Sequence, residues 1–237
     1  MEDRYQRNAV LLGEDYPSKL EGKVICVFGL GGVGGACCDA LCRAGITHFV
    51  LVDDDTVNQT NINRQIVANM DTIGMKKVDA MEAHLKRLNP VVIIEKRACF
   101  YLPENADEFD FSAFDYVVDA IDTVTAKIDI VTHCKKAGTP IISAMGCGNR
   151  LDPTKVICKD LFQTSGDPLA KIMRQKLKKQ GIDSLKVVCS SEPPLERKIV
   201  LGNDPSLPRR SIPGSSPFVP PAAGIELAHQ VIMDLLQ

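Results

Sequence analysis

The chain has 237 residues, of which 45% are hydrophobic and 24% charged, with no Trp and a formal net charge of −2. That is enough chain for one sizeable core built on aliphatic side chains, and the charge balance excludes an overall basic field of the kind that marks nucleic-acid binders, leaving room only for a local one. The charged start, "MEDRYQRNAVLLGEDYPSKL", lacks the apolar centre of a signal peptide, and no stretch approaches the roughly 18 apolar residues of a membrane helix.

The elements follow in chain order. "KVICVF" (Lys23 to Phe28) predicts a buried strand, and "VGGACCDALCRAG" (Val33 to Gly45) a helix. "HFVLVD" (His48 to Asp53) predicts the next strand. A helix over Lys76 to Leu88 follows, with Val78, Met81, Leu85 and Leu88 at helical spacing. "VVIIEKR" (Val91 to Arg97) and "DYVVDAID" (Asp115 to Asp122) are strands, "TAKIDIVTHCKKAG" (Thr125 to Gly138) a helix and "TPIISAMG" (Thr139 to Gly146) a fifth strand. Strands separated by helices imply parallel β-α-β units in a doubly wound, Rossmann-like α/β sheet.

Beyond about Gly148 the rhythm changes. "KVICKDL" and "LKVVCS" read as antiparallel strands separated by a basic helix, "DPLAKIMRQKLKKQG". Ser191 to Pro221, rich in Pro, Ser and Arg, reads as loop. The last segment is an amphipathic terminal helix, with Ile225, Ala228, Ile232 and Leu235 expected on one face. No Gly-rich linker precedes this third, so the chain reads as one domain, 1–237, with a nucleotide-binding half at 1–147 and an extension at 148–237.

"VFGLGGVGG" fits G-x-G-x-x-G at Gly29, Gly31 and Gly34, after a strand and opening a helix. Gly29 permits the tight turn, Gly31 and Gly32 let backbone approach phosphate, and Gly34 lets helix and strand pack closely. Asp53, 19 residues after Gly34, ends the second strand where a carboxylate accepts ribose hydroxyls. Asp54 reads as a solvated turn. The same signature serves a dehydrogenase, so the residues downstream decide the ligand. "TNINRQ" supplies Asn61, Asn63, Arg64 and Gln65; "GMKKVD" supplies Lys76 and Lys77; "DAID" supplies Asp119 and Asp122. In a doubly wound sheet these converge on the carboxyl edge of the strands. Arg64 can fork phosphate oxygens, Lys77 adds a point charge and Asp122 can hold Mg²⁺, a set that suits ATP and attack on its α-phosphate. Each has a plainer reading: Arg64 as a surface residue, Lys77 as an exposed helix lysine, Asp122 as an N-cap. Asp119 reads as a brace at the strand end.

With "RYQR", "GLGGVG", "VDDDTVNQTNINRQ", "IGMKKV" and "DAID" in this order, the chain resembles the ubiquitin-activating-enzyme-like (ThiF/MoeB/HesA) adenylating superfamily over about its first 145 residues. The resemblance implies Mg·ATP binding and transfer of AMP to a carboxylate. It implies that Asp53 holds ribose, that Asn61, Arg64 and Lys77 hold phosphates, that Asp122 binds or positions the metal, and that Arg7 reaches the ATP of a neighbouring protomer in a homodimer. Sulfur-carrier-activating members usually carry paired C-x-x-C zinc ligands; none occur here. "LDPTKV", "KDLFQTSGDPLAKIMRQKLKKQGI" and "GSSPFVPPAAG" instead resemble the tRNA threonylcarbamoyladenosine dehydratase branch. That implies a cyclising dehydration of modified tRNA through an acyl adenylate; the alternative is adenylation of a ubiquitin-like sulfur carrier. A sulfur-relay protein as partner and a monovalent cation as further cofactor belong to the same implied set, with no residue assigned to either.

Lys171, Arg174, Lys176, Lys178 and Lys179, with Arg209 and Arg210, are candidate contacts to tRNA phosphates or a solvated basic face. Of the nine cysteines none forms C-x-x-C, and Cys26, Cys37, Cys38 and Cys42 lie in apolar segments, which points to a reducing cytoplasm. Cys189 is the one thiol in a region that could serve catalysis, although cyclisation does not demand it. His133 and His229 read as surface or packing residues.

Overall fold

The computed structural model describes residues 3–196, 198–199 and 213–237. Two short helices, α1 (Gln6–Leu12) and α2 (Tyr16–Leu20), lead into β1 (Val24–Phe28), α3 (Gly32–Ala44), β2 (His48–Val52), α4 (Lys77–Leu88) and β3 (Ile93–Arg97). Then come β4 (Tyr116–Asp119), α5 (Val124–Ala137), β5 (Ile141–Ala144), β6 (Val156–Asp160), α6 (Pro168–Lys179), β7 (Lys186–Ser190) and α7 (Val219–Leu235).

The strands form one seven-stranded sheet in the order β3-β2-β1-β4-β5-β7-β6. All neighbours are parallel except β6 and β7, which run antiparallel, while β7 itself is parallel to β5. The central strands "VICVF" and, up to its terminal Asp119, "YVVD" are apolar and buried because helices cover both faces. Alternate residues serve opposite layers. Ile25 and Val27 join the core under α3, α4 and α7; Cys26 and Phe28 join the core under α5, α6 and an aromatic loop that includes Tyr101, Phe109 and Phe111. The edge strand β3, "IIEKR", is mostly exposed and charged, which discourages pairing with another chain.

The terminal helix departs from expectation in two ways. It begins at Val219, so Pro220 and Pro221 belong to its first turn, where a missing N–H costs nothing, and not to the expected Ser191 to Pro221 loop, of which residues 197 and 200–212 lie outside the described residues. Ala228 and Ile232 are buried as expected, but Ile225 is 58% exposed. The cause is Gly224: a Cβ there would lie 2.2 Å from the Val33 carbonyl oxygen and 2.9 Å from Ala36 Cβ. Only glycine fits where α7 crosses α3. This fixes the rotation of α7, and about 100° per residue carries Ile225 away from the core.

Candidate active site

The order β3-β2-β1-β4 reverses direction between β1 and β4, and ligands of such sheets bind beyond the strand ends at that switch. A cavity of about 360 Å³ lies there. Gly29 turns the chain with φ +88°, and a Cβ on it would meet the Ala120 carbonyl oxygen at 2.8 Å. A Cβ on Gly34 would lie 1.8 Å from the Gly29 oxygen. The turn, the exit of β4 and the first turn of α3 are therefore in backbone contact. Gly31 and Gly32 line the cavity at the N-terminus of α3, where unpaired amides favour an anion.

Asp53 is held rigidly at the end of β2. Its Oδ2 accepts from the Leu30 amide at 2.6 Å and its Oδ1 from the Asp55 amide at 3.0 Å. Burial raises its pKa above the usual carboxylate range, against the opposing pull of Lys77 and the two amides. Lys77 is not an exposed helix lysine. It is 6% exposed, and its Nζ lies 2.7 Å from Asp55 Oδ2 and 3.7 Å from Asp53 Oδ1. Asp55 is thus part of the charge network, whereas Asp54 stands exposed, its carbonyl taking a bond from Lys76 Nζ.

Arg64 lines the same cavity, half-buried, and desolvation lowers its pKa. Its Nη1 donates to Asn63 Oδ1 at 2.8 Å and to the Thr60 carbonyl at 3.1 Å. Asn63 in turn donates from Nδ2 to the Ser215 carbonyl at 3.0 Å, which ties the 60s loop to the segment before α7. Asn61 lines the cavity too, and its Oδ1 caps the short helical turn by accepting from the Asn58 amide.

Asp122 is exposed at the rim beyond β4. It is not an N-cap: Thr123 occupies that position of α5. Asp119 braces the strand end as expected. It pairs with Lys127 at 2.9 Å, with both side chains fully buried, and Lys127 Nζ also donates to the Ile121 carbonyl at 3.1 Å. A further buried pair, Arg150 with Asp167, closes the exit of β5: Asp167 Oδ2 accepts from the Gly146 amide at 3.1 Å, and its Oδ1 caps α6 at the Ala170 amide.

The structure therefore brings Gly29, Gly31, Gly32, Asp53, Asn61, Arg64, Lys77 and Asp122 to one cavity. Arg7 is exposed on α1 and does not line the cavity of its own chain. Arg174 is engaged internally, its guanidinium donating to the Thr164 carbonyl at 2.9 Å and to the Thr164 hydroxyl. Arg209 and Arg210 lie outside the described residues. All nine cysteines are unpaired; Cys189 is buried on β7, and burial raises its thiol pKa.

Sequence reasoning missed the cavity wall made by Cys99, Phe100 and Tyr101 after β3, because no motif marks it. It also missed Lys127, whose signal was available: a lysine amid Ala126, Ile128 and Val131 on the apolar side of a helix. A second, more open groove of about 580 Å³ lies at the opposite, amino edge of the sheet. Its one lining glycine, Gly138, ends α5 rather than opening a helix, and none of the charges of the first cavity line it.

The ThiF family model matches residues 5–184. The chain is 37% identical over 241 residues to the tRNA threonylcarbamoyladenosine dehydratase of Bacillus subtilis (strain 168), covering 99% of this chain and 95% of that protein. It also resembles crystal structures of E. coli tRNA N6-threonylcarbamoyladenosine dehydratase, TcdA, at 29% identity. The AMP complex matches with a TM-score of 0.88, covering 98% of this chain and 94% of that one. The ATP complex matches with a TM-score of 0.87, covering 98% and 93%.

Proposed function

Because the chain belongs to the ThiF family, we propose that it is an ATP-dependent tRNA threonylcarbamoyladenosine dehydratase. The observation that carries this reading is the meeting of Arg64, Lys77 and Asp122 with the glycine turn in one cavity. A dinucleotide pyrophosphate is served largely by helix amides, whereas two cations beside a carboxylate suit a triphosphate. Likeness to dehydratases over nearly the whole chain, C-terminal third included, supports the choice of substrate.

In the reaction, a carboxylate oxygen of the threonyl group attacks the α-phosphorus of ATP and pyrophosphate leaves. The carbamoyl group then closes onto the acyl carbon, AMP departs with the carboxylate oxygen, and a proton is lost. The net change to the nucleoside is loss of one water. Asp53 holds the ribose, and the α3 amides, Asn61, Arg64 and Lys77 hold the phosphates. Arg64 and Lys77 offset the charge that develops as pyrophosphate leaves, and this electrostatic stabilisation is the main source of rate where no covalent nucleophile acts. Exclusion of water once substrate fills the cavity would protect the acyl adenylate.

Among the described residues no group of three or more His, Cys, Asp or Glu side chains is placed to hold a metal. One carboxylate at the cavity rim fits Mg²⁺ that arrives with ATP, since that ion takes one or two carboxylates, phosphate oxygens and water. Asp122 would hold it, and the ion would supply neutralisation of phosphate charge.

The same reading extends to the rest of the chain. Residues 1–147 form the nucleotide half and 148–237 the tRNA-side extension of one domain. The protein works in the cytoplasm, in keeping with its unpaired cysteines. It acts as a homodimer in which Arg7 reaches the partner's ATP; Val10 and Leu11, 84% and 86% exposed beside Arg7 on α1, provide apolar surface for such contact.

The test is incubation with Mg·ATP and threonylcarbamoyl-modified tRNA, digestion to nucleosides and mass spectrometry. Loss of one water is expected, and its absence rejects the reading. Pyrophosphate exchange driven by a carrier-protein tail ending in Gly-Gly would favour sulfur-carrier adenylation instead. Asp122→Ala should abolish turnover with the fold intact.

A further inference from the structure

Charge is distributed unevenly over the surface of this near-neutral chain. On the α4 side lysines are neutralised: Lys86 by Glu82 at 2.7 Å, and Lys96 by Asp79 at 2.7 Å and Glu82 at 2.6 Å. On the α5 and α6 side they are not. Lys135 and Lys136 end α5, Lys176, Lys178 and Lys179 end α6, and all five are exposed with no ion-pair partner among the described residues. The two helix ends are joined by a hydrogen bond of 2.6 Å from Thr132 Oγ1 to Gln180 Oε1. The groove of about 580 Å³ opens beside them, lined by Lys135, Lys159 and Lys186.

Lysines in a last helical turn complement the helix dipole. That accounts for part of the pattern only. Lys171 stands near the N-terminal end of α6, where the dipole disfavours a cation, and Lys159 is on a strand. Asp234 and Asp160 line the same groove: Asp234 neutralises Lys186, while Asp160, bonded to the Phe162 and Leu185 amides, and Asp129, bonded to the Tyr101 hydroxyl, keep their charge but are outnumbered by Lys135, Lys136, Lys159, Lys171, Lys176, Lys178 and Lys179. Asp183 adds one exposed negative charge. The net result is a concave basic surface at the end of the sheet opposite the carboxylate-rich nucleotide cavity.

We propose that the C-terminal turns of α5 and α6, with Lys159 in the adjoining groove, form a platform for the phosphate backbone of the RNA substrate, away from the reacting nucleoside. The inference rests on the dehydratase reading and deepens it by naming where the body of the tRNA lies. Helix α6 connects the two ends. Its N-cap Asp167 holds the Gly146 amide at the exit of β5, on the nucleotide-site edge, and its last turn carries Lys178 and Lys179. Twelve helical residues span about 18 Å. Backbone phosphates seated on the platform therefore leave one nucleoside free to enter at the Gly146 edge. Arg174, bound to Thr164, positions the start of α6 and takes no part in the platform.

The test replaces Lys135, Lys136, Lys178 and Lys179 together by Gln, with Lys86→Gln on the other face as control. Affinity for tRNA is measured against salt, and KM for modified tRNA and for ATP are measured separately. The platform predicts a rise in tRNA Kd and KM of roughly tenfold or more, with KM for ATP unchanged. It also predicts a flattening of log affinity against log salt by roughly three, ~0.7 to 0.9 for each phosphate no longer neutralised. The control keeps the parent values. Unchanged tRNA affinity and slope in the fourfold variant overturn the platform even if turnover is observed. If the parent protein binds tRNA with the steep slope and the variant does not, the platform stands even where no dehydration is seen, and the assigned reaction alone falls.

Discussion

Lys127 and Asp119 meet at 2.9 Å with neither side chain exposed to solvent, and the lysine also holds the Ile121 carbonyl beside Asp122. A buried pair of this kind contributes little net stability, but breaking it strands a charge, at a cost of about 3–5 kcal/mol. Asp119→Ala should therefore destabilise the protein by about that amount in urea unfolding. The double replacement Asp119→Leu with Lys127→Met should recover most of the stability and still bind ATP poorly, because Ile121 and Asp122 lose their anchor. Full ATP affinity in a stable double variant would reduce the pair to a packing feature.

Asn63 and Asn149 fix the segment before α7 to the two sides of the site. Asn149, with φ +57°, donates its amide to the Gly214 carbonyl at 2.8 Å and accepts the Gly214 amide on Oδ1 at 2.7 Å. Asn63 bridges Ser215 and Arg64. Asn63→Ala should leave the guanidinium held only by the Thr60 carbonyl and raise KM for ATP by roughly 10- to 100-fold, in line with the ~1.5–3 kcal/mol of a hydrogen bond to a charged group. At position 149, Gly keeps the left-handed backbone and Ala does not, so Asn149→Ala should be less stable than Asn149→Gly by about 1–2 kcal/mol. Equal stabilities would show that the segment relaxes away from Asn149.

The sheet was legible because its central strands are apolar runs at the spacing of β-α-β units, and the cavity because Asp53 and Asp122 follow strand ends and Arg64 and Lys77 sit in short motifs between β2 and α4. What could not be read depends on non-local contact. The rotation of α7 follows from Gly224 meeting Val33, and the occupation of Arg174 follows from Thr164 lying just before α6 and folding back onto it. Asn149 is informative only once Gly214 is beside it. The wall at Phe100 has no signature, since any bulky residue placed after β3 would serve.

Gly224→Ala should be among the most damaging conservative changes in the chain. Its Cβ would overlap the Val33 carbonyl and Ala36, both on α3. Overpacking of this kind costs about 1–3 kcal/mol or more, and the strain falls on the helix whose N-terminus lines the cavity proposed for ATP. Denaturant unfolding should show the loss of stability, and calorimetry a weaker ATP affinity. Unaltered values for both would mean that α7 tilts freely on α3.

Burial pushes the Cys147 thiol up to about 11 and raises the Cys189 thiol as well. Only the thiolate is nucleophilic, so both should react slowly with iodoacetamide near neutral pH and faster as pH rises toward about 11. Cys189→Ala should keep dehydratase turnover within about twofold, since no step calls for a thiol. Rapid labelling of Cys189 at neutral pH, with loss of turnover in the alanine variant, would place a covalent intermediate on it.

Lys77 and Asp53 govern the pH response of nucleotide binding. Burial raises the Asp53 pKa, and Lys77, 3.7 Å away, opposes that rise. In the proposed role Asp53 accepts ribose hydroxyls as a carboxylate, so affinity for ATP should decline as pH falls through its raised pKa. Lys77→Met removes the opposing charge and lifts that pKa further. The acid limb of ATP affinity should then move to higher pH, while turnover falls by about 10²–10³ through loss of phosphate stabilisation. Asp53→Asn, having no proton to gain, should bind weakly with no limb from this group at all. Calorimetric titration of ATP across the acid range separates the cases: a limb that stays in place in Lys77→Met would mean that a group other than Asp53 titrates, and would shift the ribose assignment to another residue of the cavity.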